Sequence, residues 1–73
     1  MDGYEEALAI ADPIARAIAL GRILNALPGV SAEISDERQK ALLELKARGM
    51  SLAEIAKEVG LARGRVQNLI AGT

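Results

Sequence analysis

The chain has 73 residues and a formal net charge of −1, with no cysteine, no histidine and one aromatic residue, Tyr4. That length fits one small domain. It excludes disulfides and histidine or thiolate metal sites, and the scattered carboxylates leave no metal and no cofactor to expect. No base is placed to activate Ser31, Ser35 or Ser51, so the chain does not read as an enzyme. Ala, Leu and Ile supply most of the apolar residues. A core this small rarely yields more than about 3–5 kcal/mol of net stability, so a homodimer is expected to supply the rest.

The first six residues are acidic where a signal peptide would be basic. The most apolar stretch, residues 7–27, is interrupted by Asp12, Pro13, Arg16, Arg22 and Asn25, which argues against a membrane span. A cytoplasmic protein with no membrane partner is expected. Charge is unevenly spread. Residues 1–35 carry two arginines against five carboxylates, a net of −3; residues 36–73 carry seven cations against five carboxylates, a net of +2. From Leu61 onward there are two arginines and no acid. Salt screens charge over about 10 Å, so a basic C-terminal face can meet phosphates even when the far end is acidic.

The pattern predicts an all-α chain of four or five helices. Asp2, with Glu5 three residues on, caps a short first helix that ends near Ala11. Asp12-Pro13 starts a second, from Pro13 to Leu27, because Asp is a good N-cap and Pro is favoured at the first helical position. Asp12 also stands four residues before Arg16, a favourable pairing. This second helix is apolar around most of its circumference. A helix of that kind must be buried nearly all round, which points to a partner chain; the expected dimer contacts are Ile14, Ile18, Leu20, Ile23 and Leu24. Residues 1–30 are thus a dimerisation segment and residues 31–73 a second segment of one compact domain.

Pro28-Gly29 stops the second helix, and Ser31 or Ser35 caps a third that runs to Arg48. Its inner face is Ile34, Ala41, Leu42 and Leu45. Glu44 and Arg48 pair outside, with Lys40 and Lys46 on the solvent side, and Gly49 fits the left-handed residue that ends helices. Ser51-Leu52-Ala53-Glu54 is a capping box, so a fourth helix starts at Leu52, with Ile55, Ala56 and Val59 inward. Gly60 supplies the positive φ that a tight turn requires. Leu61 follows as a buried turn hydrophobe, and a last helix runs from about Ala62 to Ala71 with Val66, Leu69 and Ile70 inward.

Small Ala56 where two helices cross, Gly60 four residues on and Val66 six further are the structural constraints of a helix-turn-helix. An ordinary helical hairpin explains the apolar face. It does not explain why the exposed residues of the last helix are Arg63, Arg65, Gln67 and Asn68, with no acid among them. The expected partner is double-stranded DNA, read through the major groove, with no small-molecule ligand in evidence. Base contacts fall to Arg63, Gln67 and Asn68, since arginine can read guanine and Gln or Asn adenine. Backbone contacts fall to Ser51, Lys57, Gly64 and Arg65.

Residues from about Arg38 to Ala71 resemble region 4 of bacterial sigma factors and the DNA-binding end of serine recombinases. The carrying segment is Gly60-Leu61-Ala62-Arg63-Gly64-Arg65-Val66-Gln67-Asn68-Leu69-Ile70. Asp12-Pro13-Ile14-Ala15-Arg16 extends the likeness to small stand-alone sigma-like proteins of high-GC Gram-positive bacteria and their phages. The resemblance implies that Arg63, position 64 and Asn68 approach bases and Arg65 the backbone. Two positions depart from the pattern. Gly64 stands where sigma factors often have glutamate, so promoter −35 recognition is not implied, and Ala62 replaces the usual Ser or Thr N-cap. The leading expectation is a dimeric transcriptional regulator. The alternatives are an accessory factor in phage or plasmid packaging, maintenance or recombination, and an interaction module such as an antitoxin or polymerase adaptor.

Overall fold

A computed structural model describes residues 3–26 and 32–72. Five helices and no strands make up the described residues: α1 (Tyr4–Leu8), α2 (Pro13–Ala26), α3 (Ala32–Ala47), α4 (Leu52–Val59) and α5 (Arg63–Ala71). The Cα radius of gyration is 11.4 Å, close to the ~11 Å of a compact chain of this length. Among the described residues, no helix is long and apolar enough to cross a membrane.

Local chemistry sets the helix ends. The Asp12 carboxylate accepts from the Ile14 amide at 3.1 Å, and Pro13 opens α2 from a buried position. Asp2 and Ser31, expected as caps, lie outside the described residues. Ser35 is no cap, because α3 already starts at Ala32. Gly49 ends the α3 region at φ 94°, and the Met50 amide donates back to the Leu45 carbonyl at 3.2 Å. The capping box is complete: the Glu54 amide donates to Ser51 Oγ at 3.1 Å, and the Ser51 amide to Glu54 Oε1 at 2.9 Å.

Helices α2 and α3 form the antiparallel centre. Ala17, early in α2, shares one core cluster with Ala41, Leu42 and Leu45, late in α3. Leu20 and Leu24, later in α2, share the other with Ile34, at the start of α3. Helix α1 closes the second cluster with Ala7 and the half-buried Tyr4. Helices α4 and α5 close the first with Ile55, Ala56 and Val66. Alanines recur in both clusters. With so little side chain between them, helix backbones approach closely, and the core fills without Phe or Trp.

This packing corrects two of the five expected dimer contacts. Leu20 is 0 % exposed and Leu24 8 % exposed within the single chain, so neither is available to a partner. Ile14 and Ile23 are half-buried against the two clusters, and Ile18 is half-buried too. The buried residues of α2 are Pro13, Ala17, Leu20 and Leu24, a stripe spaced 4, 3 and 4 that one neighbouring layer covers.

The Asp12–Arg16 pairing is also replaced. Arg16 Nη2 reaches Glu44 on α3 at 2.7 Å, and its Nη1 donates to the Ile10 carbonyl at 3.0 Å. A long side chain at the start of α2 thus spans to the end of α3, and Asp12 is left to cap its own helix.

Candidate nucleic-acid interface

Helix α4 ends at Gly60, whose φ is 75°. The amides of Gly60 and Leu61 both donate to the Ala56 carbonyl, at 2.9 and 3.0 Å. Ala56 is buried and Val66 fully so, so Ala56, Gly60 and Val66 occupy the packing and turn positions expected of them. Leu61 does not. It is 39 % exposed, because the turn carries it over an open groove beside α2 instead of into the core.

Val66 is buried and Leu69 and Ile70 half-buried against the core. At about 100° per residue, these three define the inner side of α5. The opposite side then centres on Gly64 and Asn68, with Gln67 and Ala71 beside them. Arg63 and Arg65 flank this outward stripe on its two edges, and all four polar side chains are exposed. The expected base readers therefore share one surface, with Arg63 at its edge and not at its centre.

The start of α5 is open. Ala62 adopts extended backbone, no side chain caps it, and the first turn holds no acid. The amides of that turn lack intrahelical partners, and with the helix dipole they attract anions. Neither Arg63 nor Arg65 is ion-paired within the described residues, nor is Lys57 on α4. Elsewhere Arg16 and Arg48 are held by Glu44, and Lys40 by Glu37. Glu58 is the one carboxylate of α4 outside the capping box. Ser51 is exposed, but its hydroxyl already accepts from Glu54, which leaves only its proton to offer a phosphate. Hydrogen bonds from Ser51 hold the Glu54 carboxyl below its ordinary range.

Gly64 has ordinary helical backbone, and a Cβ built on it meets nothing within 4 Å. Nothing among the described residues requires glycine there. The far end of α5 is tied down: Gln39 of α3 donates to the Ile70 carbonyl at 2.8 Å, and Gly72 closes the helix at φ 84°.

Sequence reasoning passed over Arg38. This α3 residue is half-buried, its Nε has no hydrogen-bond partner, and burial lowers its pKa, with the Arg65 charge adding to the effect. Its position in a run of charges resembled a solvated face; only the packing of α2 and α5 around it distinguishes it.

Compared with known proteins, the chain matches no family model, no curated protein and no solved structure.

Proposed function

We propose that the chain is a cytoplasmic helix-turn-helix protein that binds double-stranded DNA sequence-specifically, with α5 as the recognition helix, and acts in transcription. The observation that carries this reading is the surface of α5. Gly64, Gln67 and Asn68 face outward between two unpaired arginines, beside an uncapped helix start. A glycine that the fold does not need, at the centre of that face, lets the helix backbone approach another surface closely. Arg63, Gln67 and Asn68 reach base edges; Arg65, Lys57 and the amide end at Gly64 meet phosphates, with Ser51 a weaker contact.

Two copies acting on paired half-sites suit a recognition helix this short. Helix α2 would contribute the half-buried Ile14, Ile18 and Ile23 to such a dimer. The likeness to sigma region 4 favours the same use of α5, without its promoter specificity.

Selection of bound duplexes from a random pool tests the reading. Enrichment of a defined motif about 3–5 base pairs long per half-site supports it. Recovery of an unenriched pool, or no retention of DNA at low salt, would remove it in favour of a protein-interaction module.

A further inference from the structure

Helix α2, α3 and the α4–α5 turn enclose an open groove of about 330 Å³. Its apolar wall includes Ile18, Leu42 and Leu61, and its polar wall Arg22, Arg38 and Arg65. Among the described residues, no carboxylate lines it. Asp36 lines a neighbouring depression on the other side of Arg38 and Arg65, and it forms no ion pair with either arginine.

Three features of this groove lack an explanation within the chain. Arg38 has an inaccessible Nε without a partner, and an unmatched buried donor on a charged group is costly. Arg65 stands close enough to repel it, and the repulsion lowers the Arg38 pKa together with burial. Leu61 is left exposed directly over the groove. An anion on the groove side would offset the charge of the half-buried Arg38 and its repulsion from Arg65, since guanidinium groups hold phosphate oxygens through charge-assisted, often paired hydrogen bonds. An apolar body attached to the anion would cover the third. Three arginines suit a head group carrying more than one negative charge.

We infer that the groove between α2, α3 and the α4–α5 turn binds a small phosphate monoester whose apolar body lies against Leu61 and Ile18. Arg38 and Arg22 hold the phosphate from the α3 and α2 sides, and Arg65 completes the cluster. This binding needs no DNA, and it shares only Arg65 with the proposed DNA contacts.

The test is titration of the free protein with phenyl phosphate, inorganic phosphate and phenol, followed by amide NMR. Phenyl phosphate should bind saturably and move the amides of Gly21, Gly60 and Leu61. Phosphate without the ring, and the ring without phosphate, should each bind at least about tenfold more weakly. Arg38→Gln should reduce phenyl phosphate affinity about tenfold while leaving the thermal midpoint unchanged or raised, because it removes a half-buried unmatched charge. Arg65→Gln, at an exposed position, should do the same and serves if Arg38→Gln fails to fold. The inference is overturned if phenyl phosphate binds no better than inorganic phosphate, or if shifts spread over Arg63 and the outer face of α5. It is equally overturned if a folded Arg38→Gln or Arg65→Gln variant binds as the parent does.

Discussion

Arg16 Nη2 lies 2.7 Å from Glu44 Oε2, joining the first turn of α2 to the last turns of α3. The same guanidinium donates to the Ile10 carbonyl, so it also holds the link from α1. The Arg16 side chain is mostly covered and that of Glu44 partly open, and solvent weakens the pair accordingly. Arg16→Ala should cost about 1–2 kcal/mol in chemical denaturation, because it removes the ion pair and leaves a carbonyl unmatched. Glu44→Gln should cost less, about 0.5 kcal/mol, since the amide oxygen still accepts from Arg16. Equal losses would mean that the Ile10 contact contributes nothing.

Glycines 60 and 64 should respond oppositely to alanine. Gly60 is left-handed, so Gly60→Ala is expected to destabilise by about 1 kcal/mol through backbone strain. A Cβ at Gly64 meets nothing, so Gly64→Ala should stabilise by about 0.5–1 kcal/mol. If Gly64 serves close approach to DNA, the more stable variant binds DNA more weakly. Thermal melts and DNA titrations on the same samples separate the two effects; a Gly64→Ala protein that is stabilised and binds DNA unchanged removes the functional role of this glycine.

Tyr4 supplies a probe of the α1–α3 junction, being the sole aromatic residue. Its phenol is raised above the ordinary value near 10, first by burial and then by the charges of Glu33 and Glu37. The neutral phenol is therefore favoured in the folded chain. That contribution to stability is complete below the ordinary tyrosine pKa and is lost as pH rises through the higher folded value. Absorbance titration of tyrosinate should give a midpoint above that of the unfolded chain, and Glu37→Gln should lower it. A midpoint equal to the unfolded one would place Tyr4 in solvent.

Much of α4 and α5 was legible in the sequence because the decisive interactions are local. Ser51 and Glu54 cap each other across three residues, Gly60 marks its own positive φ, and Val66 follows from helical spacing. Contacts between distant segments were not legible. Arg16 had an acid four residues before it and yet pairs with Glu44, twenty-eight residues on. Leu20 and Leu24 looked like surface for a partner because an apolar circumference does not say which chain covers it; α1 and α3 do. Leu61 was misread and Arg38 passed over for one shared reason. Both border the groove, and a groove exists only once α2 has been laid against the α4–α5 turn.

DNA binding should weaken steeply with salt. Two protomers making about three phosphate contacts each give a log–log slope near −5, and one protomer alone about −3. Measuring the slope together with sedimentation of the free protein therefore tests the dimer: a slope near −5 with a dimer in solution supports it. A slope near −3 with a monomer at tens of micromolar places one protomer on each site. A flat response contradicts phosphate contacts from Arg65, Lys57 and the start of α5.

The most direct measurement is competition binding of the parent, Arg63→Ala, Asn68→Ala and Arg65→Ala proteins against single-base variants of a selected duplex. Arg63→Ala and Asn68→Ala should flatten discrimination at particular base pairs, by about 1–3 kcal/mol for each lost paired contact. Arg65→Ala should weaken every duplex about equally and reduce the salt slope by about one. If the parent protein does not distinguish the selected duplex from its variants, or if Arg63→Ala and Asn68→Ala lose affinity uniformly across them, α5 does not read sequence and the central claim is contradicted.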